Sequence, residues 1–395
     1  MTKRFLFTSD AVTDGHPDRL CDSISDAVVD RFLLQDPYCR IVAECALSKN
    51  VLFLAARFAT EATIDIPDVA RGVLHDAGYH KDDFDASHCS VLTSLILMDD
   101  QVYPRLEEKD LDDHDLDLLG VRSQASLFGY ACNQTEELMP LPISLARRLA
   151  VAFNQARRRK DVDALSPDCT IQVGVEYEAG LPVRIASITV IAGTVATRPL
   201  SSLALRELMI QEVMGPLLKD DPIPMDSGTE ILVNPDGASP KSGPRFHSGM
   251  TGRKTASDTY GAYARHSGSA LSGKDPSRID RVGAYMARYA AKNVVAAGLA
   301  QQCEVQLSYA IGQAAPVSLA VQTFGSGILG DEVIRERLLD LFDFRLGAII
   351  RDFNLRHLPA LHREGFYRWL SATGHMGESR LALPWERTDQ SSLLR

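Results

Sequence analysis

A two-stranded hairpin followed by a helix recurs three times in this 395-residue chain, and no other feature restricts its fold as tightly. Residues 40–58 read as RIVAECAL and VLFLAARF, joined at Lys49-Asn50, with IPDVARGVLHDAG after them. Residues 169–192 supply CTIQVGVEY and PVRIASITVIA around a Gly-containing turn, then a helix from about 202 to 216. Residues 303–323 supply CEVQLSYAI and PVSLAVQTF around Gly-Gln, then DEVIRERLLDLF. Apolar residues alternate in the strands and return every three to four positions in the helices. Each hairpin therefore has one face to bury and a helix to bury it under. Three such units predict an α/β chain of three similar layers, each a sheet with helices on one face.

Two further helices are legible. Residues 18–34 place Leu20, Ile24, Ala27, Val28 and Phe32 on one face and stop at Asp36-Pro37. Residues 279–297 are Ala-rich and largely apolar up to Gly298, which predicts a buried helix. The acidic stretch 99–117 lacks clean periodicity and reads as a linker or mobile loop, and the tail after Pro384 reads as surface packing. The N-terminal residues enter a short apolar strand without the long apolar region of a signal peptide, and no apolar run has membrane-spanning length. Seven scattered Cys with no C-x-x-C pair fit reduced thiols in a cytoplasm. A formal net charge of −10 argues against general nucleic-acid binding, so an anionic ligand needs local basic clusters and metal ions.

Two segments offer such clusters. In TSDAVTDGHPDRLCD, Gly15-His16-Pro17-Asp18 stands where a strand passes into a helix, and the helix N-terminus attracts anions. Asp18 either caps that helix or holds magnesium, and His16 can donate a hydrogen bond to an oxygen that gains charge. In ARHSGSALSGKDPSRIDR, small residues let backbone approach phosphate while Lys274, Arg278 and Arg281 neutralise it; Asp275 and Asp280 add carboxylates suited to magnesium. No Walker G-x-x-x-x-G-K-[ST] is present. A second basic cluster, Thr251-Gly252-Arg253-Lys254, lies upstream.

Together with LFGYACNQTEELMPLPI, TGRKTASDTYGAYARHSGSALSGKDPSRIDR and LSYAIGQAAP, the first segment resembles S-adenosylmethionine synthetase over nearly the whole chain. The resemblance implies three similar sheet-plus-helix domains related by a pseudo-threefold repeat, here 4–101, 115–231 and 232–378. It also implies a homodimer, or a dimer of dimers, with sites between subunits, and ATP with Mg2+ and K+. In that reaction the methionine sulfur attacks C5′ of ATP, the triphosphate leaves, and it is then cleaved. By the same resemblance His16 assists triphosphate departure, Asp18 and Asp280 bind Mg2+, and Glu44 belongs to the K+ site. Arg253, Lys254, Lys274 and Arg278 match triphosphate contacts, with Arg278 where the family usually has Lys. Asp168 falls near the nucleotide.

The departures from the family pattern cluster on the acceptor side. GAGDQG appears as GVRSQAS, so Ser123 replaces its Asp and Arg122 its preceding Gly. Arg57 stands where a Glu meets the methionine ammonium, Met98 where a Gln contacts methionine, and His247 replaces the Asp of GD-x-GLTGRK. On the triphosphate side, Thr170 replaces a Lys, and Ala238-Ser239 replace an Arg-Phe pair that holds triphosphate and stacks adenine. Arg in place of Glu repels an ammonium and welcomes an anion. Three readings follow: an ordinary methionine adenosyltransferase, the same chemistry on a more anionic nucleophile, or a non-catalytic partner subunit.

Overall fold

In the computed structural model, residues 4–98, 108, 111–159, 162–219, 221–237, 241–362 and 365–395 are described. The first unit runs β1 (Arg4–Val12), α1 (Pro17–Gln35), β2 (Arg40–Ser48), β3 (Val51–Ala59), α2 (Ile66–Asp76) and β4 (Ser90–Leu97). After a short helix α3 (Asp113–Leu118), the second runs β5 (Ala125–Cys132), α4 (Leu141–Arg157), β6 (Leu165–Glu178) and β7 (Leu181–Thr194). It continues through α5 (Ser202–Met209) and α6 (Gly215–Leu218) to β8 (Glu230–Val233). The third runs β9 (Gly249–Met250), α7 (Thr255–Asp258), α8 (Ile279–Ala296), β10 (Gln302–Tyr309), β11 (Ser318–Gln322) and α9 (Asp331–Leu341). Helices α10 (Leu346–Asp352), α11 (Leu358–Leu361) and α12 (Phe366–Thr373) follow. All three hairpins expected from the alternation are present, each with its helix.

The sheets are not closed within these units. Their strand orders are β4-β3-β2-β9, β1-β6-β7-β8 and β11-β10-β5. Each unit thus gives its lone strand to a neighbour's hairpin. β1 pairs antiparallel with β6, β5 with β10, and β9 with β2. The exchange runs in a ring, first unit to second, second to third, third to first. Each long helix covers its own unit's hairpin and the strand received there: α1 lies on β2 and β9, α4 on β6 and β1, α8 on β10 and β5.

Burial follows from this layering. Helix α8 is buried from Ile279 to Val295, as its Ala-rich composition predicts, and Gly129 of β5 lets it approach closely. A Cβ at Gly129 would lie 1.9 Å from the Ala287 carbonyl carbon, so only glycine fits under that helix. Helix α1 differs from its one-sided reading. It is buried on almost every side from Pro17 to Asp30, because α2 and α12 cover the face turned away from the sheet. Its polar residues are therefore structural rather than solvated.

Two loop readings also change. Of the acidic stretch, residues 99–107 and 109–110 lie outside the described residues, but Glu108 is buried against the Arg356 guanidinium. Residues 113–118 form α3, capped by the Asp112 carboxylate, and Arg345 pairs with Asp113 and Asp117. The tail does more than lie on the surface. Trp385 stacks on Tyr285 at 3.8 Å and is fully buried, and Glu386 bonds Arg288 and Lys292.

Candidate active site

Four aspartates at a four-residue spacing, Asp18, Asp22, Asp26 and Asp30, form a buried ladder along one side of α1. Each accepts backbone N–H groups from the later part of the chain. Asp18 accepts from Met250 (3.0 Å), Asp22 from Gly252 (2.8 Å), Asp26 from Gly273 (2.8 Å), and Asp30 from Tyr367 and Arg368. Arg19 pairs with Asp22 and Asp258, and Arg281 closes on Asp26 at 2.5 Å. The ladder holds both basic segments against one helix. On the opposite side they share an edge of β2, where Thr251 N–H bonds Cys45 and Ala43 N–H bonds Gly273. Sequence reasoning missed the ladder, because it marked only the apolar face of α1 and gave Asp22, Asp26 and Asp30 no role.

The first group of site residues gathers where α1 begins. Thr13 is clamped to the carbonyls of Pro167 and Cys169, which brings Asp168 beside His16. The Asp168 carboxylate accepts from Gly243 N–H (2.7 Å) and lies 2.7 Å from His247 Nε2, while the His16 and His247 rings are 5.1 Å apart. Capping falls to His16 rather than Asp18: its Nδ1 accepts from Asp18 N–H at 3.1 Å. Asp18 sits inside the first turn, with Lys254 Nζ at 2.6 Å and Arg253 at 3.5 Å. Tyr79, which the sequence did not mark, donates to the Gly15 carbonyl at 2.6 Å and steadies the loop.

Electrostatics give these groups definite states. Burial drives the His16 imidazole down to about 4, against the opposing pull of Asp168. It is neutral at pH 7, and with Nδ1 accepting, Nε2 carries the proton. Burial pushes Asp18 upward, but the Lys254 ammonium, its hydrogen bond and Met250 N–H more than offset that and hold it below the ordinary carboxylate range.

The second group lies further along the same edge. Lys274 forms an antiparallel bridge with Val42 of β2, and its Nζ bonds the Ala270 carbonyl. Burial lowers the Lys274 ammonium, while Asp280 and then Glu44 oppose the shift. Ser123 donates to Asp280 at 3.0 Å, at the start of α8. Arg278 stands at the α8 N-cap with a buried Nε that has no hydrogen-bond partner among the described residues. A phosphate oxygen would satisfy it. Glu44 and Arg57 are both exposed on the outer face of the β2-β3 hairpin, Arg122 is half-buried beside Ser123, and Met98 bonds the end of β3. Among the described residues, no hydrogen bond or ion pair engages the Arg57 side chain. Thr170 is paired within β6; Ala238 and Ser239 lie outside the described residues.

The candidate residues therefore form two groups. Asp18 and Asp26, which anchor the two basic loops, stand eight residues apart on α1, about 12 Å along its axis. Among the described residues no hydrogen bond or ion pair joins the groups. The first combines a helix N-terminus, a neutral imidazole donor and two cations; the second adds two more cations with two carboxylates. Both are equipped to bind polyphosphate.

Comparison with known proteins agrees with this architecture. The S-adenosylmethionine synthetase N-terminal, central and C-terminal domains match residues 4–99, 118–239 and 242–387. S-adenosylmethionine synthase of Gloeothece citriformis is 42% identical, covering 100% of this chain and 97% of that protein. Those of Synechococcus elongatus and Thermosynechococcus vestitus are also 42% identical, covering 100% and 98% of this chain and 98% and 96% of their own lengths. No helix among the described residues is long and apolar enough to cross a membrane. With all three domains matched in order and the relatives aligned over essentially its full length, the chain belongs to the S-adenosylmethionine synthetase family.

Proposed function

We propose that the protein transfers the adenosyl group of ATP to a thioether, methionine by default, with release of the triphosphate or of phosphate plus diphosphate. The observation that carries this reading is the placement of His16, Asp18, Arg253 and Lys254 at the N-terminus of a 19-residue helix. Arg253, Lys254, Lys274 and Arg278 bind the triphosphate and neutralise it. His16 donates its Nε2 proton to the oxygen that gains charge as the C5′–O bond breaks. Asp18 and Asp280 would hold Mg2+. Their hard oxygen donors fit an ion bound by one or two carboxylates plus substrate phosphates, and it would supply charge neutralisation there. Glu44 would serve K+.

The two-group arrangement supports a homodimer with sites between subunits. Met250, Ala46, Phe53 and Leu92 are paired in register across β9, β2, β3 and β4. Three of them, Phe53, Leu92 and Met250, are about half exposed on the face that also carries Glu44 and Arg57. A second copy on this face would bring one chain's second group toward the other's first.

Arg57 favours a second reading of the acceptor. An exposed guanidinium, unengaged among the described residues, in place of a carboxylate suits a more anionic nucleophile than methionine. The test is incubation with ATP, Mg2+ and K+, with and without methionine, followed by mass spectrometry of sulfonium and triphosphate. Methionine-dependent S-adenosylmethionine supports the first reading. Turnover only with carboxylate or phosphonate thioethers supports the second, and absence of any ATP-dependent transfer overturns both.

A further inference from the structure

His16, Asp168 and His247 come from three separate segments, yet one ligand atom of each lies within 4.8 Å of the others. We propose that these three residues form a site for one borderline divalent metal ion of the Zn2+ or Co2+ class, distinct in chemistry from the Mg2+ carboxylates. Two imidazoles and one carboxylate suit such an ion, whereas Mg2+ prefers an all-oxygen shell. The family's Asp at position 247 would leave one imidazole and two carboxylates. His247 is what turns the donor set toward nitrogen.

The surroundings fit this use. Zn–N and Zn–O distances of about 2.0–2.1 Å put tetrahedral ligands roughly 3.3 Å apart, so the triad has to contract. His247 can supply that movement, since its side chain is 41% exposed and its only hydrogen bond among the described residues is to Asp168. The ion takes the place of the proton shared by His247 Nε2 and Asp168. Asp168 is already held in place by Gly243 N–H, which bonds the same Oδ2 that faces His247, a contact that fixes the ligand's orientation. When His16 binds through Nε2, its proton moves to Nδ1, which lies 3.9 Å from Asp18 Oδ2, and the bond from Asp18 N–H is given up. A carboxylate behind a ligating histidine is the usual support. The fourth position opens through the exposed side of His247 to water or a ligand.

Occupation also removes the His16 Nε2 proton from the phosphate oxygen. That consequence alone rests on the adenosyl-transfer reading, and it makes the bound ion an inhibitor relieved by a chelator. Binding itself is measured without turnover, by calorimetry with Zn2+ and by the visible spectrum of the Co2+-loaded full chain. We expect one ion per chain and a Co2+ spectrum without a thiolate charge-transfer band, the seven Cys all being buried. His247→Ala, His247→Gln and Asp168→Asn should each weaken Zn2+ about tenfold or more, with unchanged circular dichroism for at least one His247 variant. Absence of binding, a thiolate band, or equal affinity in a folded His247 variant would overturn the site. Binding that leaves adenosyl transfer unaffected would overturn the inhibition and leave the site standing.

Discussion

Substituting Gly249 by alanine tests how the first basic loop is held. A Cβ at this position would lie 2.0 Å from the Pro17 carbonyl oxygen, 2.2 Å from its carbon and 2.7 Å from Asp18 N. All three are backbone atoms, so no rotamer change relieves the clash. Contacts between carbon atoms settle near 3.5–4.0 Å, so β9 must retreat from α1 by more than about 1 Å. The Met250-to-Asp18 hydrogen bond, 3.0 Å long, is then lost. Overpacking costs about 1–3 kcal/mol and a hydrogen bond to a charged acceptor about 1.5–3 kcal/mol. Together they predict a loss on the order of 3–5 kcal/mol. Arg253 and Lys254 follow β9 within four residues, and a displacement of that size costs about 100-fold in rate when groups must meet a reacting phosphate. Denaturant unfolding and ATP-dependent steady-state kinetics read the two effects. Gly72→Ala, in α2 with open space around it, is the control and should stabilise by about 0.5–1 kcal/mol. A Gly249→Ala protein with unchanged stability and ATP kinetics would refute the reasoning.

Other outcomes follow from the ladder and the open sheet face. Asp26→Ala strands the fully buried Arg281 and should cost about 3–5 kcal/mol in chemical denaturation, while Asp26→Asn keeps an acceptor and should cost less. Burial raises Asp30 to about 7, above its unfolded value, so the native state holds the extra proton and stability falls as pH rises from about 4 to 7. Between pH 5 and 8, Asp30→Asn should lack about 2–3 kcal/mol of the decline seen in the parent; identical slopes would count against this assignment. Phe53→Asp with Leu92→Lys should shift sedimentation equilibrium toward monomer, and an unchanged mass would remove that face from the interface. Tyr79→Phe loses its bond to Gly15 and should raise the KM for ATP a few-fold with little change in melting temperature.

Local pattern made much of this legible. Alternation in RIVAECAL, CTIQVGVEY and CEVQLSYAI marked each hairpin, because a half-buried strand writes its burial into its own residues. The strand exchange left no such mark. Nothing in β1 says that its partner is β6, with paired residues from Val12–Thr170 to Arg4–Glu178, and β9 is only two residues long. The basic segments were readable from composition and glycine content. The pairing of Asp168 with His247 was not, since one was assigned to the nucleotide and the other to the acceptor. The Gly243 N–H and the Ser242–Ser166 hydrogen bond tie their two segments together and place them 2.7 Å apart.

The ring of lent strands bears on how the molecule comes apart. No unit can melt by itself, because its departure strips one strand from a neighbour's sheet and leaves its own hairpin edge unpaired. Amide protons in β1, β5 and β9 should therefore exchange with the global opening free energy, together with the hairpins that receive them and those of their own unit. A fragment cut at any inter-unit loop carries an orphaned edge at one end and a missing strand at the other, which invites pairing with other copies. A protein assembled this way passes from folded to unfolded in one cooperative step, and during synthesis the first sheet stays incomplete until residues 249–250 have been made.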